Sequence, residues 1–129
     1  MKILSLLLVS MLLAFSCARR PSGSLEVRTP SEEDIQKAKM LLFRLRDTSD
    51  IEEIAFVLSS DQSTLTEYGA QVVHGMNHLL VYEDAGKWLC FVVYEEFRGE
   101  LQLLSHMTTN EEAQKRNCWE TRKDSLQDN

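Results

Sequence analysis

Proline and glycine are scarce, two and five residues in 129, which excludes a collagen-like chain and argues against low-complexity disorder. No basic tract occurs. Twenty acids against fourteen Lys and Arg give a net charge of −6, so the chain repels phosphate backbones, and nucleic acid is not an expected partner. No Cys-x-x-Cys or His-rich spacing is present among three cysteines and three histidines. His74 and His78 are four apart, a ligand spacing on a helix, but they fall in a strand-and-turn run, so no metal site is expected. No glycine loop that would cradle a phosphate is present either, and no cofactor is expected. Cys90 and a histidine could form a nucleophile pair on paper, yet Leu89 and Phe91 beside it favour packing or a disulfide. Without a clustered acid–base set, the chain does not read as an enzyme.

The one long apolar run lies at the start. Met1-Lys2 is charged, residues 3–15 are apolar apart from Ser5 and Ser10, and Ser16, Cys17 and Ala18 are small. That order predicts a secretory signal peptide over residues 1–18, with cleavage after Ala18 or, alternatively, before Cys17. The run is too short to span a bilayer comfortably, and no second run approaches that length, so no membrane association is expected of the mature chain. Removal of residues 1–18 takes Lys2 and no acid, moving the net charge from −6 to −7. It also takes Cys17 and leaves Cys90 and Cys118. Two thiols in a secreted, extracellular chain suggest one disulfide; the alternative is a buried free Cys90 with Cys118 unpaired in a polar tail.

What remains fits one domain of α+β class. Residues 19–29 contain Pro21, Gly23 and Ser24 without periodicity and read as a flexible N-terminal arm. Ser31 followed by Glu32, Glu33 and Asp34 reads as a capped helix start. Ile35, Ala38, Leu42 and Leu45, with Leu41 alongside, form one apolar stripe on a helix of about sixteen residues. Residues 54–58 are β-prone, and strands follow at 65–73, 76–82, 88–94 and 101–106. The short breaks between them imply antiparallel hairpins. One N-terminal α-helix therefore packs across a four- to five-stranded antiparallel β-sheet, whose other face must be polar or covered. Residues 110–129 read as a polar C-terminal tail, partly helical at most.

The segment Gln71-Val72-Val73-His74-Gly75 is a strand ending in a glycine. An apolar pair at an exposed turn needs something to cover it; the alternative is a core strand ending in an ordinary turn. Gln-x-Val-x-Gly at a hairpin turn resembles the signature of the cystatins, inhibitors of papain-like cysteine proteases. Asn77 follows Gly75 as in that family's Gly-x-Asn-Tyr, with His78 at the tyrosine position. Gly23 precedes the helix as a cystatin glycine does, and a second hairpin follows at the expected distance, with Glu96-Phe97 where the family has Pro-Trp. The resemblance covers residues 23–109, a cystatin-like domain over 19–109, with a stefin-like short loop after Tyr82. It departs from secreted cystatins in having two mature cysteines rather than four. The asparagine of the legumain-inhibiting site is missing at Thr48-Ser49-Asp50.

The resemblance implies a wedge built from Gly23, the tip at Gln71, Val72, Val73, His74 and Gly75, and a second tip at Glu96 and Phe97. It would enter the active-site cleft of a cathepsin-type protease and block it reversibly. A second reading is a non-inhibitory secreted binding protein on the same scaffold, with an immunomodulatory or reproductive role, which Glu96, His74 and the altered cysteine pattern favour. The expected state is a monomer, and exchange of the first hairpin between subunits is the dimer route this architecture offers.

Overall fold

Ser31 starts the long helix as its sequence suggests. A computed structural model describes residues 23–122, and the expected signal peptide lies outside the described residues. In helix α1 (Glu32–Arg46) the Ser31 side chain accepts from the Asp34 N–H at 3.2 Å, and Asp34 accepts from the Ser31 N–H at 3.0 Å. This reciprocal capping box satisfies two otherwise orphan donors. Asp34 also takes both arms of Arg28, at 2.7 and 3.0 Å, tying the helix start to the segment before it. Asp34, Ala38, Leu41, Leu42 and Leu45 are buried. Ile35 is a correction to the expected stripe: Asp34 occupies the buried position of the first turn, and Ile35 is left exposed.

A second correction concerns residues 54–58, which form part of a helix, α2 (Glu52–Ser59), not a strand. Ile54 and Val57 are buried three residues apart while Ala55 and Phe56 face outward. Docking of that short stripe against the sheet overrides the β-branched composition.

Five strands form one antiparallel sheet in the order β1-β2-β3-β4-β5: β1 (Glu26–Arg28), β2 (Thr64–Val73), β3 (Gly75–Asp84), β4 (Lys87–Glu95) and β5 (Leu101–Thr109). Strand β1 lies within the arm expected to be flexible; it pairs Glu26 with Ala70, Val27 with Gly69 and Arg28 with Tyr68. The close fit needs Gly69, whose Cβ would sit 3.0 Å from Leu25 and 3.2 Å from Val27. The turn between β3 and β4 is Ala85-Gly86, with φ of 52° and 82°, the two positive values that a two-residue hairpin with right-handed strand twist requires.

One sheet face meets the helices. Ala38, Leu42, Leu45, Ile54 and Val57 pack there with Leu65, Tyr68, Leu80, Tyr82, Leu89, Phe91 and Val93. The other face is covered too. Leu79, Val81, Cys90, Val92 and Leu104 pack against Cys118 and Trp119, flanked by Leu25 and Val27. The covering comes from the segment read as a polar tail, which forms a 3-10 turn (Glu112–Gln114) and helix α3 (Asn117–Glu120). Cys118 is bonded to Cys90 with Cα atoms 5.8 Å apart. Arg116 holds Glu67 of β2 bidentately at 2.6 and 2.8 Å. The alternation of residues 89–93 shows why a cover is needed: all five are buried, as a strand sandwiched on both faces must be. Among the described residues no helix is long and apolar enough to cross a membrane.

Candidate functional site

Register decides which turns share an end of the sheet. In the first hairpin Val73 pairs with Gly75, leaving His74 alone at the tip. The next residue, Met76, pairs with Glu95, and Glu95 pairs with Leu101, so the turn at residues 96–100 opens at the same end. On the other flank the Gly23 N–H donates to the Val72 carbonyl at 3.0 Å. The order across this end is therefore Gly23, the first tip, the second tip. The structure brings the three segments of the expected wedge to this one end, and leaves Cys90 and Cys118 away from it.

The first tip projects. Val72 is 52 % exposed, His74 is exposed and Val73 is half-buried. The tip is also braced. The Tyr94 hydroxyl donates to the His74 carbonyl, locking the turn onto β4. Gly75 sits at φ +134°, and a Cβ there would lie 2.5 Å from the Glu95 carbonyl oxygen and against the Tyr94 ring. Glycine is required by both backbone conformation and space. At the second tip Phe97 is 81 % exposed and Glu96 is partly exposed. The Glu96 N–H donates to the Glu100 carbonyl at 2.9 Å and the Gly99 N–H to the Glu96 carbonyl at 2.8 Å, closing the loop on itself. Arg44 of α1 donates to the Gly99 carbonyl, fixing that loop to the helix.

Gln71 departs from its expected place at a contact surface: it is 5 % exposed. Strand alternation turns it to the face opposite Val72, where it donates to the Gly23 carbonyl at 2.5 Å and accepts from Asn77 at 2.8 Å.

Behind the tips lies a polar cluster that sequence reading missed. His78 is 1 % exposed; its Nδ1 is 2.7 Å from the Tyr68 hydroxyl and its Nε2 2.9 Å from Glu95. Glu95 also receives Lys37 of α1 at 3.2 Å. Burial pushes the His78 imidazole below its ordinary value, against the opposing pull of Glu95. Burial alone would raise Glu95, but its bonds from His78 and Lys37 outweigh that and hold the carboxyl low. Burial pushes the Tyr68 hydroxyl up to about 12. A neutral His78 that accepts from Tyr68 and donates to Glu95 satisfies all three groups. The cluster joins β2, β3, β4 and α1 directly beneath the two tips.

Chemically, this end of the molecule offers apolar and aromatic projections on a fixed frame. Among the described residues no group of three or more His, Cys, Asp or Glu side chains could hold a metal ion. Tyr94 carried a sequence signal, being an aromatic at the end of a strand beside a glycine turn. The pairing of His78 with Glu95 carried none, because it depends on β3–β4 register. Comparison with protein-family models, curated proteins and solved structures found no match to this chain.

Proposed function

We propose that this chain is a secreted, reversible inhibitor of papain-like cysteine proteases, acting as a wedge made from Gly23, Val72-Val73-His74-Gly75 and Glu96-Phe97. The observation that carries the reading is the exposure of Val72 and Phe97 on two braced turns at one sheet end. Apolar side chains held out by a rigid frame lose little entropy on docking, and each Å² of apolar area they bury contributes ~25 cal/mol. An exposed aromatic beside them is the residue type favoured at interface centres. Such a wedge excludes substrate from the cleft while presenting no peptide carbonyl to the catalytic thiolate, so the inhibitor leaves intact.

A second reading, a secreted binding protein that does not inhibit, is favoured by Glu96. Its carboxylate adjoins Phe97 and would be desolvated in a cleft. Titration of papain with the purified mature chain separates the two. Stoichiometric loss of peptidase activity is the result expected of the wedge; full activity at micromolar concentrations of the chain would leave the binding-protein reading.

A further inference from the structure

Gln71 belongs to the motif that carries the resemblance, yet its side chain does not reach the surface that the motif presents. It is 5 % exposed, and Asn77 beside it is 3 % exposed. The two lie opposite each other in the β2–β3 register, on the face turned away from α1. From Asn77 Nδ2 a hydrogen bond of 2.8 Å reaches Gln71 Oε1, and from Gln71 Nε2 another of 2.5 Å reaches the Gly23 carbonyl. Gly23 closes the circuit by donating its own N–H to the Val72 carbonyl at 3.0 Å. The amide of one side chain thus orients the next, and that one grips the backbone of the arm.

We infer that Gln71 is a positioning residue, not a contact residue: the Asn77–Gln71 relay clamps Gly23 beside Val72 and so fixes where the arm meets the first tip. Three features support this. The paired part of the arm ends at Glu26, opposite Ala70, so Gly23 lies beyond the ladder of β1. Gly23 is exposed with φ +105°, a conformation that backbone pairing alone does not favour and that the two Gly23 bonds maintain. A side-chain amide supplies a donor and an acceptor together, which the relay uses at its two ends. For its effect on inhibition the inference rests on the wedge reading; for the clamp itself it does not.

The experiment uses the purified chain with Gln71→Met, which removes donor and acceptor at similar volume, and Gln71→Glu, which keeps the acceptor for Asn77 but loses the donor to Gly23. Amide hydrogen exchange at Gly23 reads the clamp, exchange at the fully buried Phe91 of β4 reads the fold, and papain association and dissociation rates read the wedge. Loss of the clamp bond should speed Gly23 exchange about tenfold in both variants, with Phe91 unchanged. It should speed dissociation from papain with little change in association. Unchanged Gly23 exchange overturns the clamp. Faster dissociation with unchanged Gly23 exchange also overturns it, because Gln71 would then be touching the protease. A freed Gly23 with unaltered dissociation overturns the positioning role. If Gln71→Glu disturbs Phe91, Gln71→Met alone decides. If the parent chain leaves papain active, the wedge reading fails, and the clamp is still judged by exchange.

Discussion

His78 Nε2 sits 2.9 Å from Glu95 Oε1, joining a residue three positions beyond Gly75 to the one immediately before the second tip. Tyr68 and Lys37 complete the cluster, with Arg28 over the Tyr68 ring and Asp34 bonded to Arg28. Burial lowers the folded-state pKa of His78, so near and below pH ~6.5 the unfolded chain binds protons more readily than the folded one. The contribution of His78 is complete above its unfolded value and is lost as pH falls toward its folded value. Glu95 is also lowered, so its contribution is present above the ordinary carboxylate range and is lost on further acidification. Asp34, held at about 2 chiefly by its bonds from Arg28, extends the loss to lower pH still. The expected result is a melting temperature that falls between pH 7 and 5 and again below pH 4.5. His78→Gln should flatten the first limb, while the second persists through Lys37 on Glu95 and Arg28 on Asp34. An unchanged first limb in that variant, followed by circular dichroism, refutes the assignment to His78.

Those elements were legible in the sequence whose pattern reports local burial. The Ser31 cap, the Ala38, Leu42 and Leu45 stripe and the hairpin spacing led to a helix on an antiparallel sheet, which is what the structure contains. Residues 54–58 were not legible as helix, because a run that short carries β-branched composition more plainly than its three-residue spacing. The docking of the tail on the sheet was not legible for a related reason. Most of the tail's described residues are exposed, and the two that are buried, Cys118 and Trp119, are adjacent, which gives no period to detect. The Val72–Gly75 turn could be placed from sequence because a glycine ends the strand. The inward turn of Gln71 follows from alternation once Val72 is known to face out, but that fact came only with the fold.

Gly75 should tolerate no side chain. At φ +134° a Cβ would approach the Glu95 carbonyl oxygen to 2.5 Å, and the backbone of Glu95, paired with Met76 on one side and Leu101 on the other, cannot swing aside. Gly75→Ala is therefore expected to destabilise the folded chain by about 2 kcal/mol or more, combining backbone strain with the clash. A bulky residue there would test the sheet as well as the wedge, so loss of inhibition in Gly75→Trp counts only alongside a measured stability. Urea unfolding of Gly75→Ala checks the point, and a midpoint equal to the parent's would show that the turn relaxes without strain.

Phe97 should behave in the opposite way. It is 81 % exposed, so Phe97→Ala removes little packing and should leave stability within about 0.5 kcal/mol of the parent. If the second tip anchors in a protease cleft, the same variant should weaken papain inhibition by about 1–3 kcal/mol, roughly five- to 150-fold in inhibition constant. Matched urea curves beside a shifted inhibition constant are the expected pair. An unchanged constant would place Phe97 outside the contact.

Cys90 and Cys118 should govern stability without touching the site. Their bond spans 28 residues of sequence, and closing a loop of that size contributes about 3.6 kcal/mol in the chain-entropy view. It also pins Trp119 over Leu79, Val81 and Val92, so losing it loosens the cover of the second sheet face. Cys90 pairs with Val81, six residues along β3 from Gly75, which puts the bond about 20 Å from the first tip at 3.3 Å per residue. Cys118→Ser is thus expected to lower the unfolding free energy by about 3–4 kcal/mol, while papain inhibition by the folded fraction stays as it was. Reductant should shift the urea midpoint of the parent toward that of the variant and leave the variant unmoved. Coincident parent curves with and without reductant would show that the cover holds by packing alone.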